Sequence, residues 1–146
     1  MQIRTTRFGP LEIEADDILS FPAGLLGLED CRHWVLLADA QNNALGWLQS
    51  TSRPEVALAV VCPRRFVPDY QFRVFRSELA ALDLADVKDA QVLSIVGKNE
   101  RSITLNLKAP VVINLERRLG RQVVANGEQP VQYELANRQA PLKKSA

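Results

Sequence analysis

Side chains that could carry catalysis are few in this sequence. A catalytic nucleophile needs a base beside it, usually histidine, and the only histidine is His33. Cys31 and Cys62 lack the Cys-x-x-Cys spacing of metal and redox sites, and free cysteine normally packs as a small hydrophobe. One histidine and two separated cysteines do not supply the four ligands of a closed zinc site. The sequence therefore predicts that the protein is not an enzyme, has no catalytic residue and keeps two reduced, structural thiols.

The carboxylates and glycines also lack the spacing of a cation or phosphate site. Asp16-Asp17 and Glu29-Asp30 are adjacent pairs whose side chains diverge, and neither has the Asp-x-Asp spacing with glycine of a calcium loop. Gly24-Leu25-Leu26-Gly27 has neither the lysine nor the glycine spacing of a phosphate-binding loop. We interpret it as a turn, and we expect no metal, no cofactor and no small-molecule substrate.

A basic and aromatic cluster between residues 64 and 73 could bind single-stranded RNA. Small barrels bind single strands through aromatic side chains set in a basic groove. The cluster comprises Arg64, Arg65, Phe66, Tyr70, Phe72 and Arg73. The formal net charge is only +1, so no global field attracts nucleic acid or an anionic membrane. Direct RNA binding by a small barrel is therefore the alternative hypothesis, and protein binding is the first.

An acidic stretch runs from Leu11 to Cys31 and contains no Lys or Arg. Its acidic residues are Glu12, Glu14, Asp16, Asp17, Glu29 and Asp30. Such a run is either a solvated edge or an acidic docking surface for a basic protein. In the second case the contacts would include Glu12, Glu14 and Asp17.

The loop after residue 20 is a second candidate contact. Phe21 and Pro22 end a strand, and Gly24 permits turns that other residues avoid. Phe21 belongs either to the core, with the rest of the loop simply making a turn, or to a partner contact together with Pro22, Gly24 and Leu25. The residues alone leave both interpretations open.

A third candidate is the segment between Pro63 and Pro68, followed by Tyr70. Proline at both ends makes helix or central strand unfavourable, so the sequence predicts a stiff, exposed loop. A stiff loop loses little entropy on docking, which favours Phe66, Pro68 and Tyr70 as partner contacts.

Amide side chains interrupt otherwise apolar strands. Gln49 follows Trp47 by two residues, so alternation places both on one strand face, and a buried glutamine would need backbone partners. Asn106 and Asn114 flank the strand break at Pro110, where asparagine can bond to backbone. Because these polar residues suit neither a generic core nor catalysis, we expect either structural bracing or partner contact at Gln49, Asn106, Pro110 and Asn114.

Short apolar runs separated by turn signals about every ten residues predict a mainly β fold. We expect a small antiparallel β-barrel or roll with one or two short helices. The expected strands are residues 2–8, 11–15, 18–21, 34–37, 45–50, 56–62, 90–96, 102–108, 111–115 and 121–124, with a hairpin turn at Gly9-Pro10. The expected helices are residues 77–84, capped by Ser77, and a single turn within residues 28–33.

Residues 1–135 are expected to form a single domain, and residues 136–146 a disordered tail with little to bury. The sequence has no signal-peptide pattern and no apolar run near the roughly 18 residues needed to span a bilayer. It therefore predicts a cytoplasmic protein with no membrane segment.

Several segments, in the same order along the chain, resemble the FliW family of flagellar assembly factors. They are Phe8-Gly9 with Ile13, residues 21–25 with Gly27, residues 47–50 with Pro54, residues 63–70, residues 106–114 and residues 122–124. Each segment alone is weak evidence, whereas the ordered set covers nearly the whole expected domain.

The resemblance implies a small cytoplasmic β-barrel protein without catalytic activity. It also implies two protein partners: flagellin, and CsrA, the RNA-binding repressor that blocks translation of flagellin messenger RNA. On this reading, protein freed from flagellin removes CsrA from its RNA, so the mechanism is partner exchange. The acidic stretch would suit a basic RNA-binding partner.

Overall fold

The computed structural model describes residues 1–135, which form eleven strands and the short helix α1 (Arg76–Ala80). The strands are β1 (Gln2–Thr5), β2 (Gly9–Glu12), β3 (Ile18–Ser20), β4 (His33–Ala38), β5 (Leu45–Ser50), β6 (Ala57–Val61), β7 (Gln91–Lys98), β8 (Ile103–Leu105), β9 (Val111–Asn114), β10 (Leu119–Gln122) and β11 (Tyr133–Glu134). Single 3₁₀ turns occupy Ala15–Asp17, Pro63–Arg65 and Val87–Asp89. The expected tail lies outside the described residues.

Seven strands close into a barrel in the order β3-β4-β5-β6-β7-β9-β10 and back to β3. Their pairings are antiparallel except one, the parallel pair of β10 with β3 through Leu119 and Ser20. An odd number of strands cannot alternate direction around a closed ring, so one parallel pair is unavoidable. The predicted mainly β barrel with short helices is confirmed, and a fully antiparallel arrangement is corrected at this pair.

The barrel interior is filled by side chains that alternate with outward-facing ones along each strand. The largest fully buried ones include Trp34 from β4, Leu48 from β5 and Ile113 from β9, joined by Phe21 from the loop after β3. The indole N–H of Trp34 donates to the carbonyl of Cys31 at 2.9 Å, so the buried ring keeps its one polar group bonded.

The β1–β2 hairpin covers the outer face of the barrel. Ile3 and Ile13 pack on Val35 of β4, which pairs with Gln49 of β5. Trp47 lies on the same outer face, so the predicted shared face of Trp47 and Gln49 is confirmed. On that face Gln49 is fully buried, whereas Trp47 is half-buried.

The hairpin turn lies earlier than the sequence predicts. Residues 6–8 form it, while Gly9 and Pro10 belong to β2. The hydroxyl of Thr5 closes the turn because it donates to the Gly9 carbonyl at 2.7 Å and accepts from the N–H of Phe8 at 2.9 Å. Pro10 fits there since β2 is an edge strand.

An insertion of three extra residues interrupts the predicted strand at residues 102–108. Leu105 pairs with Val96 and Val111 pairs with Leu93, so residues 106–110 lie opposite only residues 94 and 95 of β7. The carboxamide oxygen of Asn106 accepts from the N–H groups of Lys108 and Ala109, at 3.1 and 3.0 Å. These bonds replace ladder hydrogen bonds, which ends β8 at Leu105.

Two predicted helices are corrected. Residues 28–33 contain one turn, in which the N–H of Cys31 donates to the Leu28 carbonyl at 3.0 Å, and no helix, because His33 already begins β4. The helix expected at residues 77–84 is α1, which begins one residue earlier and ends at Ala80. Phe75, not Ser77, occupies its N-cap position, and the chain leaves the helical direction at Asp83 with φ of 52°.

Other strand limits also shift. Residues 97 and 98, expected in a loop, extend β7, and Leu119 and Gly120 begin β10 rather than precede it. The two-residue strand β11, which pairs with β8, was not predicted. The proline-bracketed segment is less open than expected because Pro63 and Val67 are buried.

Candidate protein-binding surface

The acidic stretch is displayed at the surface. All of its carboxylates belong to exposed residues: Glu12, Glu14, Asp16, Asp17, Glu29 and Asp30. Several have local partners. The carboxylate of Asp17 accepts from the N–H of Glu14 at 2.8 Å, and Asp30 lies 3.6 Å from the guanidinium of Arg53. Glu12 forms an exposed ion pair with the terminal ammonium group at 3.8 Å, and neither Glu12 nor Asp16 closes a backbone turn.

The loop after β3 turns most of its predicted contacts inward. Phe21 is fully buried, and Gly24 and Leu25 are buried beside it, whereas Pro22 is exposed. A Cβ on Gly24 would lie 2.6 Å from the Cα of Glu29, so only glycine fits this turn. The loop offers a partner Pro22 and also Leu26, whose side chain is 56% exposed and which sequence patterning alone did not single out.

Gln49 braces the connection between β5 and β6 from a fully buried position. Its amide nitrogen donates to the carbonyls of Ser50, Pro54 and Val56 at 3.0, 3.3 and 3.1 Å. The structure thus places Gln49 where it holds backbone, and a partner could reach it only if the hairpin moved.

The segment around Tyr70 is divided between interior and surface. Tyr70 is 5% exposed, stacks on Phe72 and donates its hydroxyl hydrogen to the Leu107 carbonyl at 2.7 Å. Burial raises the pKa of Tyr70 to about 12 because the phenolate would be desolvated. Phe66 is half-buried and Pro68 is exposed. The Tyr70 ring is therefore not offered for stacking on RNA bases.

The asparagines flanking Pro110 serve two different parts of the chain. Asn106 holds the insertion, and Pro110 is buried within it. Asn114 is 5% exposed, and its amide nitrogen donates to the carbonyls of Leu82 and Asp83 at 2.8 and 3.2 Å. The buried amide thus fixes the end of the α1 segment against the barrel.

A surface aromatic cluster was missed by sequence reasoning. The guanidinium of Arg7 lies 4.3 Å above the Trp47 ring, and the Phe8 ring meets Trp47 edge-on at 5.9 Å. The indole N–H donates to Asp39 at 3.0 Å, and this bond, with the N–H of Gln41, holds the pKa of the Asp39 carboxyl below its usual value. Only the fold joins residues 7 and 47, so no local spacing could have indicated the cluster.

Residues 1–135 contain no group of three or more His, Cys, Asp or Glu side chains placed to hold a metal ion. No helix within the same residues is long and apolar enough to cross a membrane.

Comparison with known proteins agrees with this architecture. The family model described as FliW protein matches residues 2–135. The chain belongs to the FliW family. Flagellar assembly factor FliW of Natranaerobius thermophilus is 39% identical over 127 residues, which cover 85% of this chain and 84% of that protein. The FliW of Bdellovibrio bacteriovorus is 41% identical over 126 residues, which cover 85% of this chain and 72% of that protein.

A solved FliW structure has the same fold. The crystal structure of the flagellar assembly factor FliW superposes with a TM-score of 0.84 and 29% sequence identity. The match covers 92% of this chain and 96% of that chain. The barrel with its hairpin is thus the architecture of a FliW protein.

Proposed function

We propose that this chain is a flagellar assembly factor that acts in the cytoplasm by binding proteins rather than by catalysis. The observation that carries the proposal is the match to the FliW family over residues 2–135, together with relatives named for that role. The two partners are flagellin and CsrA. Binding of flagellin leaves CsrA on its messenger RNA, and release of flagellin frees the protein to antagonise CsrA.

The exposed carboxylates support a role in meeting a basic partner. An RNA-binding repressor must carry basic residues for phosphate contacts, and opposite charges across an interface speed association and fix orientation. Asp16 and Glu12 are suited to this because neither closes a backbone turn in the structure. Partner exchange further requires that bound flagellin lowers the affinity for CsrA, since a ligand shifts an equilibrium only through differential affinity.

Calorimetric titration with purified CsrA and flagellin from the same organism, at low and high salt, tests the proposal. We expect binding to both proteins, and weaker binding of either when the other is preloaded. Failure of both to bind would refute the proposed function. Simultaneous, independent binding would refute partner exchange. Salt-dependent binding of single-stranded RNA by the isolated protein would favour the alternative, because phosphate contacts release counterions.

Charge variants test the acidic surface separately. The double variant Glu12→Gln/Asp16→Gln should weaken CsrA binding about 2–30-fold at low salt, since exposed ion pairs contribute about 0.2–1 kcal/mol each. Glu116→Gln/Glu128→Gln is the matched control, because it removes the same charge from exposed residues elsewhere. Equal affinities of the two double variants would exclude the acidic stretch from the interface.

A further inference from the structure

A large groove lies outside the barrel, where the segment from Tyr70 to Ala90 crosses β7 and β9. Its volume is about 840 Å³. Val92 and Val112 are cross-strand partners on the outer face of the barrel, since Leu93 and Ile113, their neighbours along the strands, point inside. The apolar walls are Phe72, Val74, Leu79, Leu84, Val92 and Val112. The volume lies within the roughly 300–1,000 Å³ of ligand-binding sites.

The groove keeps its shape through contacts on both sides of the crossing segment. Asn114 binds the carbonyls at residues 82 and 83, and Arg121 of β10 forms an ion pair with Glu78 of α1 at 3.0 Å. At the other end, the Arg73 carbonyl accepts from the N–H of Asn126 at 2.6 Å. Phe72, Val74, Leu79 and Leu84 also pack on a buried cluster that includes Val112 of β9. The crossing segment is therefore fixed to the barrel by polar and apolar contacts together.

Three cations line this groove: Arg64, Arg73 and Lys88. All three are exposed, and within residues 1–135 none of them forms an ion pair. Four other arginines of the described residues are paired with carboxylates, namely Arg53, Arg101, Arg117 and Arg121, and the rest are not, so what distinguishes the three groove cations is their position beside apolar walls. The Nε of Arg64 donates to the Tyr70 carbonyl at 3.0 Å, which orients the guanidinium and leaves its two terminal nitrogens for an anion.

Apolar walls with unpaired cations at the rim define the chemistry of the occupant. A single-stranded nucleic acid would stack its bases on aromatic rings, but Tyr70 is buried and Phe72 is half-buried and already stacked on it, so the aliphatic walls would remain unmatched. The chain's own residues 136–146 carry Arg138, Lys143 and Lys144 and no Asp or Glu, so their charge opposes this rim. A segment with an apolar face and neighbouring carboxylates satisfies both parts of the groove.

We propose that this groove binds an amphipathic helix of a partner protein, with apolar side chains in the groove and Asp or Glu side chains paired with Arg64, Arg73 and Lys88. This is the helix-in-groove mode, in which residues at positions i, i+3, i+4 and i+7 enter an apolar cleft. The proposal rests on the groove alone, so it stands or fails independently of flagellin and CsrA binding.

Two synthetic helical peptides test it by fluorescence anisotropy with the whole protein. Both carry the same leucine face, and the polar face is glutamate in one peptide and lysine in the other. The glutamate peptide should bind, and its affinity should fall with salt, whereas the lysine peptide should bind more weakly. Equal affinity for the two peptides, or binding of neither, would overturn the proposal.

Two double variants test whether the glutamate peptide binds in the groove. Arg73→Gln/Lys88→Gln should weaken the glutamate peptide about 2–30-fold, as expected for two exposed charge pairs. The control Arg4→Gln/Lys98→Gln removes one exposed arginine and one exposed lysine elsewhere, and should leave affinity unchanged. All four side chains are exposed, so both proteins should fold, which thermal melts would verify. Equal weakening in both variants would exclude the groove.

Competition distinguishes other occupants. Anilinonaphthalene sulfonate, a small apolar anion, should be displaced from the groove by the glutamate peptide. If oligouridylate displaced the dye and the glutamate peptide did not, the groove would be a nucleic-acid site. If neither the glutamate peptide nor oligouridylate displaced the dye, the groove would be a site for small amphiphilic anions. Either result would overturn the proposed helix site.

Discussion

Gly120 of β10 provides the space that the Phe21 ring occupies. A Cβ built on Gly120 would lie 2.6 Å from Cε1 of Phe21, and closer still to Cε2 and Cζ. Phe21 is fully buried in the barrel core, so its ring has no free space to enter. Gly120 has no positive φ, so its backbone would accept alanine and the steric conflict alone should determine the effect of Gly120→Ala.

The expected loss of stability follows from two opposing contributions. Overpacking a core costs about 1–3 kcal/mol, and a fully buried aromatic ring favours the upper end. Replacing a strand glycine returns about 0.5–1 kcal/mol through reduced freedom of the unfolded chain. The net prediction is a loss of about 2 kcal/mol in the free energy of unfolding, or roughly 4–8 °C in Tm for a domain of this size.

Urea unfolding followed by tryptophan fluorescence would measure this effect. The matched control is Gly46→Ala in β5, where the nearest atoms would lie 3.4 Å from the new Cβ, an ordinary contact distance. That variant should be as stable as the parent or slightly more so. In Gly120→Ala, the added change Phe21→Leu should recover part of the loss. Equal stability of Gly120→Ala and Gly46→Ala would refute the steric conflict, and so would a double variant Gly120→Ala/Phe21→Leu whose loss of stability equals the sum of the two single losses.

Three further substitutions test contacts described above. Gly24→Ala should cost at least about 2 kcal/mol in urea unfolding, because its φ is +67° and the added Cβ meets backbone atoms. Tyr70→Phe should cost about 1–2 kcal/mol by leaving the Leu107 carbonyl unbonded. Because its pKa rises from 10.0 to about 12 on folding, the Tyr70 contribution is present below pH 10 and lost as pH rises through 12, so pH-dependent melts of Tyr70→Phe should lack this alkaline loss. Asn114→Ala should cost about 1–3 kcal/mol and speed hydrogen exchange in α1, since the Leu82 carbonyl loses its donor; unchanged exchange would contradict this role.

Local patterning was sufficient for the strands that pair with their neighbours in sequence. Residues 45–50 and 56–62 were predicted as adjacent strands, and β5 and β6 pair there with the expected alternation. Patterning failed where side chains compete with the backbone ladder. Apolar alternation continues through Leu107, but the bonds of Asn106 to the backbone end the strand at Leu105, and periodicity contains no information about such bonds.

Burial at the candidate surface depended on residues distant in sequence. The sequence left Phe21 undecided between core and contact, and the space at Gly120, about 100 positions later, places it in the core. The exposed carboxylates needed no such information, because charged residues seldom bury. Arg64 and Arg73 stood out in the sequence as part of a basic and aromatic cluster, but the fold alone brings Lys88 beside them and decides whether they pair with a carboxylate.

The parallel pair of β3 and β10 also dictates when the barrel can close during synthesis. Ser20 and Leu119 lie 99 positions apart, so most of the described chain must leave the ribosome before they can meet. Until then β3 and β9 each keep an unpaired edge, and open edges recruit strands from other chains. Distant pairings also slow folding, since loop-closure entropy precedes their contacts. Newly made protein is therefore most vulnerable to aggregation just before its last barrel strand emerges.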